Sequence, residues 1–157
     1  MIIEKDELIS LLPHKGKMFL LDRTLACDSR EYSIETQVDV MENSMFFDSV
    51  LGGIPSYVTF EYMAQSISAL SGLVNREHNL PPRVGVILSV SEFKTYKPIL
   101  SLGSKVNVTV VQQDKVDKVF SFSCSASVNG KIIANGKLTV MEVEDLKELG
   151  FEKDRNK

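Results

Sequence analysis

Cysteine and histidine are scarce in this chain, two of each in 157 residues, and the scarcity excludes several classes of protein. Two cysteines as far apart as Cys27 and Cys124 cannot staple a small secreted scaffold. His14 and His78 stand at ligand spacing neither with a cysteine nor with each other, so no metal cluster is expected. A basic surplus is missing too: 18 Lys and Arg against 21 Asp and Glu leave a net charge of −3, the reverse of a nucleic-acid binder's footprint. The first residues carry no basic stretch followed by an apolar core and a small-residue cleavage site. The most apolar run contains Glu, Gln and serines, which suits it poorly to a bilayer. These absences predict a cytoplasmic protein with reduced thiols that binds neither nucleic acid nor membrane.

What is present reads as one globular unit. A hydrophobic fraction of 43% and a charged fraction of 25% are ordinary values. A chain of this length supports one core that buries about 70% of the unfolded surface. The chain is organised around residues 55–75, PSYVTFEYMAQSISALSGLVN. Nearly every position there is apolar or small, so the stretch predicts a buried helix roughly 31 Å long, with Pro55 at its first position. Glu61 is its one formal charge before Arg76, and Tyr57, Gln65 and Ser68 fall near it on the helical spacing. A carboxylate packed all round costs several kcal/mol unless partnered, and burial raises its pKa. Glu61 is therefore the leading site candidate; the alternative is a carboxylate that merely pairs with a core arginine or a backbone group, or points out at a sheet edge.

The remainder divides into strands and turns. Residues 4–12 predict a short helix that Pro13 ends, and 18–25 a mostly buried strand. Residues 32–40 alternate, with Tyr32, Ile34, Thr36, Val38 and Val40 on one face. Phe46, Phe47 and the pair Gly52-Gly53 precede the helix, and paired glycines let a ligand or another chain come close. Strands are expected over 84–96 and 105–111. In 117–141 one parity is Phe120, Phe122, Cys124, Ala126 and Val128 and the other is serine, followed by Asn129-Gly130, the preferred pair for a type I′ turn. Cys124 reads as a small core residue. About six strands around one long helix, without strand-helix-strand repetition, give an α+β antiparallel sheet. Its exposed edges call for pairing with a second copy. Residues 1–143 are read as the single domain and 144–157 as a charge-rich tail, a frayed helix or disorder.

Three blocks of the chain resemble the hotdog-fold 3-hydroxyacyl-acyl-carrier-protein dehydratases. LPHKGKMFLLDR, from Leu12 to Arg23, is similar to that family's opening signature. Pro55 with EYMAQ, Glu61 to Gln65, is similar to its central-helix motif. KPILSLGSKVNV, from Lys97, is similar to its post-helix strand signature. The likeness runs from about residue 8 to 142 and is strongest to the divergent subgroup encoded beside aryl-polyene and related fatty-acid-like gene clusters.

The resemblance implies a curved sheet wrapped around the helix, a dimer with sites at the interface, an acyl tunnel, and a thioester carbonyl held by N–H groups at the helix N-terminus. It implies no cofactor. Glu61 matches the family's catalytic acid and Gln65 a residue near it; Pro55, Ser56, Tyr57, Phe46 and Phe47 fall where the substrate would be held. Two positions depart from the pattern. The family's catalytic histidine falls on Phe47, or on Val50 if the paired phenylalanines are aligned, and neither takes a proton. The family's helix-start glycine is Ser56, which keeps its N–H and adds a hydroxyl. His14 is the nearest other candidate base, against its reading as a loop histidine bonded to backbone.

Three functions stay open at this point. The first is a dehydratase of 3-hydroxyacyl thioesters on acyl carrier protein or coenzyme A, using Glu61 with His14 or with a partner's histidine. The second is a thioesterase on the same scaffold, and the third a silent hotdog subunit in a heterodimer. Arg83, Lys94 and Lys97 are candidate contributors to a basic surface for an acidic carrier.

Overall fold

A computed structural model describes residues 2–12, 18–81 and 83–143. The first elements are β1 (Ile3–Glu4), α1 (Lys5–Leu8) and a 3-10 turn (Ile9–Leu11); then come β2 (Arg23–Asp28), β3 (Ser33–Asp39), β4 (Gly53–Pro55), a 3-10 turn (Ser56–Val58) and α2 (Thr59–Glu77). The chain closes with β5 (Val84–Thr95), β6 (Ile99–Ser101), β7 (Lys105–Val116), β8 (Val119–Val128) and β9 (Lys131–Val143). Seven strands pair in the order β1-β2-β3-β7-β8-β9-β5, and β4 pairs separately with β6. Every pairing is antiparallel. The fold is the α+β sheet around one long helix that the sequence predicts, with seven strands in the sheet rather than six.

Alternation builds the core. Ile34, Thr36 and Val38 of β3 are buried, as are Val106, Val108 and Val110 of β7 and Phe120, Phe122, Cys124 and Ala126 of β8, because successive residues of a strand face opposite sides. Against this concave face lie Tyr62, Met63, Ile67, Leu70 and Leu73 of α2. Each large side chain buried there is worth about 1.5–3 kcal/mol. Asn129 and Gly130 both have positive φ, 52° and 79°, as the tight turn between β8 and β9 requires. Burial pushes the Cys124 thiol up to about 12, so it stays protonated and acts as a core residue.

Four local expectations are corrected. Pro55 is not the first helical residue: at φ −57° and ψ 135° it is the last residue of β4, opposite Ile99. Residues 18–22 are not strand, because Gln65 takes up the backbone groups of Met18 and Leu20 that a neighbouring strand would use. Gly53 admits no ligand; a Cβ there would collide with the Leu100 carbonyl of β6, so its close approach is internal. Strand β6 was not foreseen, since three residues are too few for a periodic signal. The tail 144–157 lies outside the described residues.

Candidate active site

The helix that carries the candidate acid starts in an unusual way. Ser56 donates its N–H to the Pro98 carbonyl at 2.9 Å, and Thr59 donates its hydroxyl to the Ser56 carbonyl at 2.8 Å. The Ser56 N–H is thus committed to the chain itself and is not on offer to a thioester oxygen. Its hydroxyl is buried and has no hydrogen-bond partner. Tyr57, the next residue, is 69% exposed.

Glu61 sits in the first turn of α2, half-buried. It lines a cavity of about 170 Å³ with Ala64, Ser68 and Ser71 of the same helix, Gly85 and Ile87 of β5, and Val140 and Glu142 of β9; Arg83, just ahead of β5, completes the wall. Helical geometry explains the grouping. Positions i+3, i+7 and i+10 from Glu61 wind toward β5 and β9, while Gln65 at i+4 turns about 40° the other way.

Gln65 is fully buried. Its Nε2 donates to the Met18 carbonyl at 2.6 Å and its Oε1 accepts from the Leu20 N–H at 2.9 Å. Both ends of the amide are used, so Gln65 braces the segment after residue 17 rather than facing the cavity beside Glu61.

The phenylalanines are elsewhere again. Phe46 lines a larger cavity of about 760 Å³ with Phe19, Val38, Met41, Ile54 and Tyr62, and Phe47 packs against the core. His14 lies outside the described residues. His78 caps the far end of α2, with its side chain 60% exposed and Nε2 3.9 Å from Glu77. Seventeen residues of helix, about 25 Å, separate it from Glu61. Among the described residues no histidine approaches Glu61. No group of His, Cys, Asp and Glu suited to a metal is found among the described residues, nor any helix long and apolar enough to cross a membrane.

Two wall residues of the Glu61 cavity went unnoticed in the sequence. Glu142 continues the inward parity of Leu138 and Val140 on β9, and a carboxylate on that parity was the available signal. Ser71 gave none. Behind the wall, Tyr32 donates its hydroxyl to Glu142 Oε2 at 3.5 Å, and Asn75 Nδ2 donates to the Ser71 hydroxyl at 3.4 Å. Burial first, and then Glu142, push the Tyr32 phenol above its ordinary value.

Residues 7–150 match the family of ApeP-like dehydratases, described as ApeP dehydratase. The chain belongs to that family. A 3-hydroxyacyl-[acyl-carrier-protein] dehydratase, FabZ, of Bartonella quintana is 27% identical over 146 residues, covering 90% of this chain and 91% of its own. The structure of the dehydratase heterocomplex ApeI:P from Xenorhabdus doucetiae superposes with a TM-score of 0.83 at 23% identity, over 92% of this chain and 97% of that one. A hypothetical thioesterase with coenzyme A from Streptococcus pneumoniae also superposes, with a TM-score of 0.61 at 12% identity over 87% of this chain and 91% of that one. At that identity the likeness shows the fold alone. As a member of the ApeP-like family the chain is a hotdog dehydratase.

Proposed function

We propose that this dehydratase acts on a 3-hydroxyacyl thioester borne by acyl carrier protein, with Glu61 as the acid and the base supplied by a second hotdog subunit. Glu61 gives its proton to the departing 3-hydroxyl, which leaves as water, while the base removes the C2 proton and the C2–C3 double bond forms. The observation that carries the reading is Glu61 itself, half-buried beside a cavity with β5 as the far wall. A cavity of about 170 Å³ is smaller than the roughly 300–1,000 Å³ of complete ligand pockets, as half of a shared site would be.

The edge of the sheet supports a second subunit. β5 is twelve residues long and, among the described residues, pairs on one side only, with β9. Ile87, Leu88 and Val90 on it are exposed. A long apolar edge of this kind invites a partner strand, and a strand laid there would bring another chain against the Glu61 cavity. The likeness to the Xenorhabdus dehydratase heterocomplex ApeI:P favours a different chain over a second copy as the occupant. Two unpaired cysteines fit a reducing compartment, and the cytoplasm is the one we assign.

The test is incubation of a 3-hydroxyacyl carrier-protein thioester with the chain, alone and together with a histidine-bearing hotdog subunit. The expected result is enoyl absorbance and loss of one water only in the mixture. Release of free thiol instead would establish a thioesterase. Dehydration by the mixture at the same rate with Glu61→Gln would leave this chain a silent subunit.

A further inference from the structure

Away from Glu61, α2 borders another cavity on its opposite flank. Fifteen residues of helix, about 22 Å, lead from Glu61 to Arg76, and there about 340 Å³ lies between the helix and β2, within the size range of ligand pockets. The sheet explains the gap. β1 is two residues long and pairs only with Arg23 and Thr24, so among the described residues β2 runs on to Asp28 with no strand on that side. Ile3, Leu73 and Val74 make the lining apolar, and Thr24 and Cys27 of β2 complete it.

Thr24 and Thr36 stand opposite each other in the ladder and both are buried, yet only one is served. Thr36 shares a hydrogen bond with Ser66 of α2 at 2.8 Å. Thr24, 1% exposed, has no partner for its hydroxyl. A buried hydroxyl left unpaired costs free energy that an oxygen brought by a ligand would return. The charges at the rim are already engaged. Arg76 is bound to Glu7 at 2.9 Å, and Glu77 lies beside His78. Burial first, and then Glu77 and Asp28, push the Cys27 thiol up, so the sulfur keeps its proton and a further negative charge is unwelcome beside it. Thr24 and Cys27 thus both have a proton to donate.

We infer that this cavity is a second ligand site, separate from the one at Glu61, for a small neutral molecule with an apolar body and one carbonyl oxygen that accepts from Thr24. An anion would meet Glu77 and Asp28 with the Arg76 guanidinium already taken. A cation would have to shed its water against Ile3, Leu73 and Val74.

The experiment follows the reaction of Cys27 with an aromatic disulfide in the full chain; Cys124 is buried and reports only on unfolding. Cyclohexyl methyl ketone should slow that reaction. Two probes of the same shape, isopropenylcyclohexane with CH2 in place of the oxygen and cyclohexanecarboxylate, should need about tenfold higher concentration for equal protection. Thr24→Val should bring the ketone to within about threefold of the hydrocarbon, whereas Thr24→Ser should keep the preference, and the pair guards against a variant that fails to fold. Protection by the hydrocarbon or the carboxylate as good as by the ketone overturns the proposal. So does protection by none of the three, or a preference that Thr24→Val retains. Ketone protection that a saturated acyl thioester competes away would place the ketone in the Glu61 cavity and overturn it as well.

Discussion

Two polar side chains one helical turn apart on α2, Glu61 and Gln65, have opposite fates. Gln65 is sealed, and each end of its amide is matched to a backbone group of residues 18 and 20. Glu61 is half-buried and borders open volume. The same helix, in the same sheet, thus makes one polar residue part of the architecture and sets the other against a cavity. What separates them is the neighbour on each flank. Gln65 meets the Met18 carbonyl and the Leu20 N–H, and its amide donates to one and accepts from the other. Glu61 meets the flank closed by β5, the last strand of the sheet, where packing stops.

The comparison breaks first, and by the largest margin, at Glu61→Gln. The substitution keeps the shape and removes the transferable proton, so the rate of the assembled dehydratase should fall by about 10²–10⁴-fold, while the melting temperature hardly moves. A single-turnover dehydration assay beside a thermal melt checks both halves. A variant that retained its rate would make Glu61 another structural residue like Gln65.

Gln65→Leu is the mirror experiment. It removes the side-chain partner of the part-buried Met18 carbonyl and Leu20 N–H, at about 0.5–1.5 kcal/mol for each, so stability should drop by about 1–3 kcal/mol. Urea unfolding measures it, and the midpoint should shift without a large change in slope. If catalysis survives in the folded fraction with native KM, then Gln65 braces the wall and does not bind substrate.

These two residues also mark what the sequence could and could not say. The buried helix, the parity of β3 and β8 and the Asn129-Gly130 turn were legible because each is a periodic or local signal that the structure keeps. Glu61 was legible as the lone charge in an apolar run. Gln65 was not separable from it: both lie on the same spacing, and only the helical offset of about 100° between the i+3 and i+4 positions sends their flanks apart. Pro55 was misplaced for a similar reason. Its φ suits a helix start or a strand equally, and the choice was made by pairing with Ile99, a long-range contact. Likewise Ser56 looked free to offer its N–H until Pro98 was found in front of it. Turn chemistry and periodicity reveal the elements; which groups remain unspent at their junctions depends on partners far away in the chain.

The smallest expected effect comes from another carboxylate, Asp39, held by two cations. Arg23 donates to its Oδ1 and Oδ2 at 3.1 and 2.8 Å, and Lys105 to Oδ1 at 2.9 Å. The hydrogen bonds from Arg23 foremost, aided by Lys105, hold the Asp39 carboxyl down at about 2. A folded-state value below the unfolded one means that the ionised form is favoured by folding. The stability this contributes is therefore complete above the unfolded value, near 4, and is lost as pH falls through about 2. Because the group is partly solvated, the gain should stay below about 1 kcal/mol and shrink in high salt. Urea unfolding of the native chain and Asp39→Asn, compared at neutral pH and at successively lower pH, should give two curves that stand apart above pH 4 and converge toward pH 2. A gap that stayed constant with pH would mean that Asp39 contributes through packing and shape, as Gln65 does, and that charge pairing does nothing measurable on this face of the sheet.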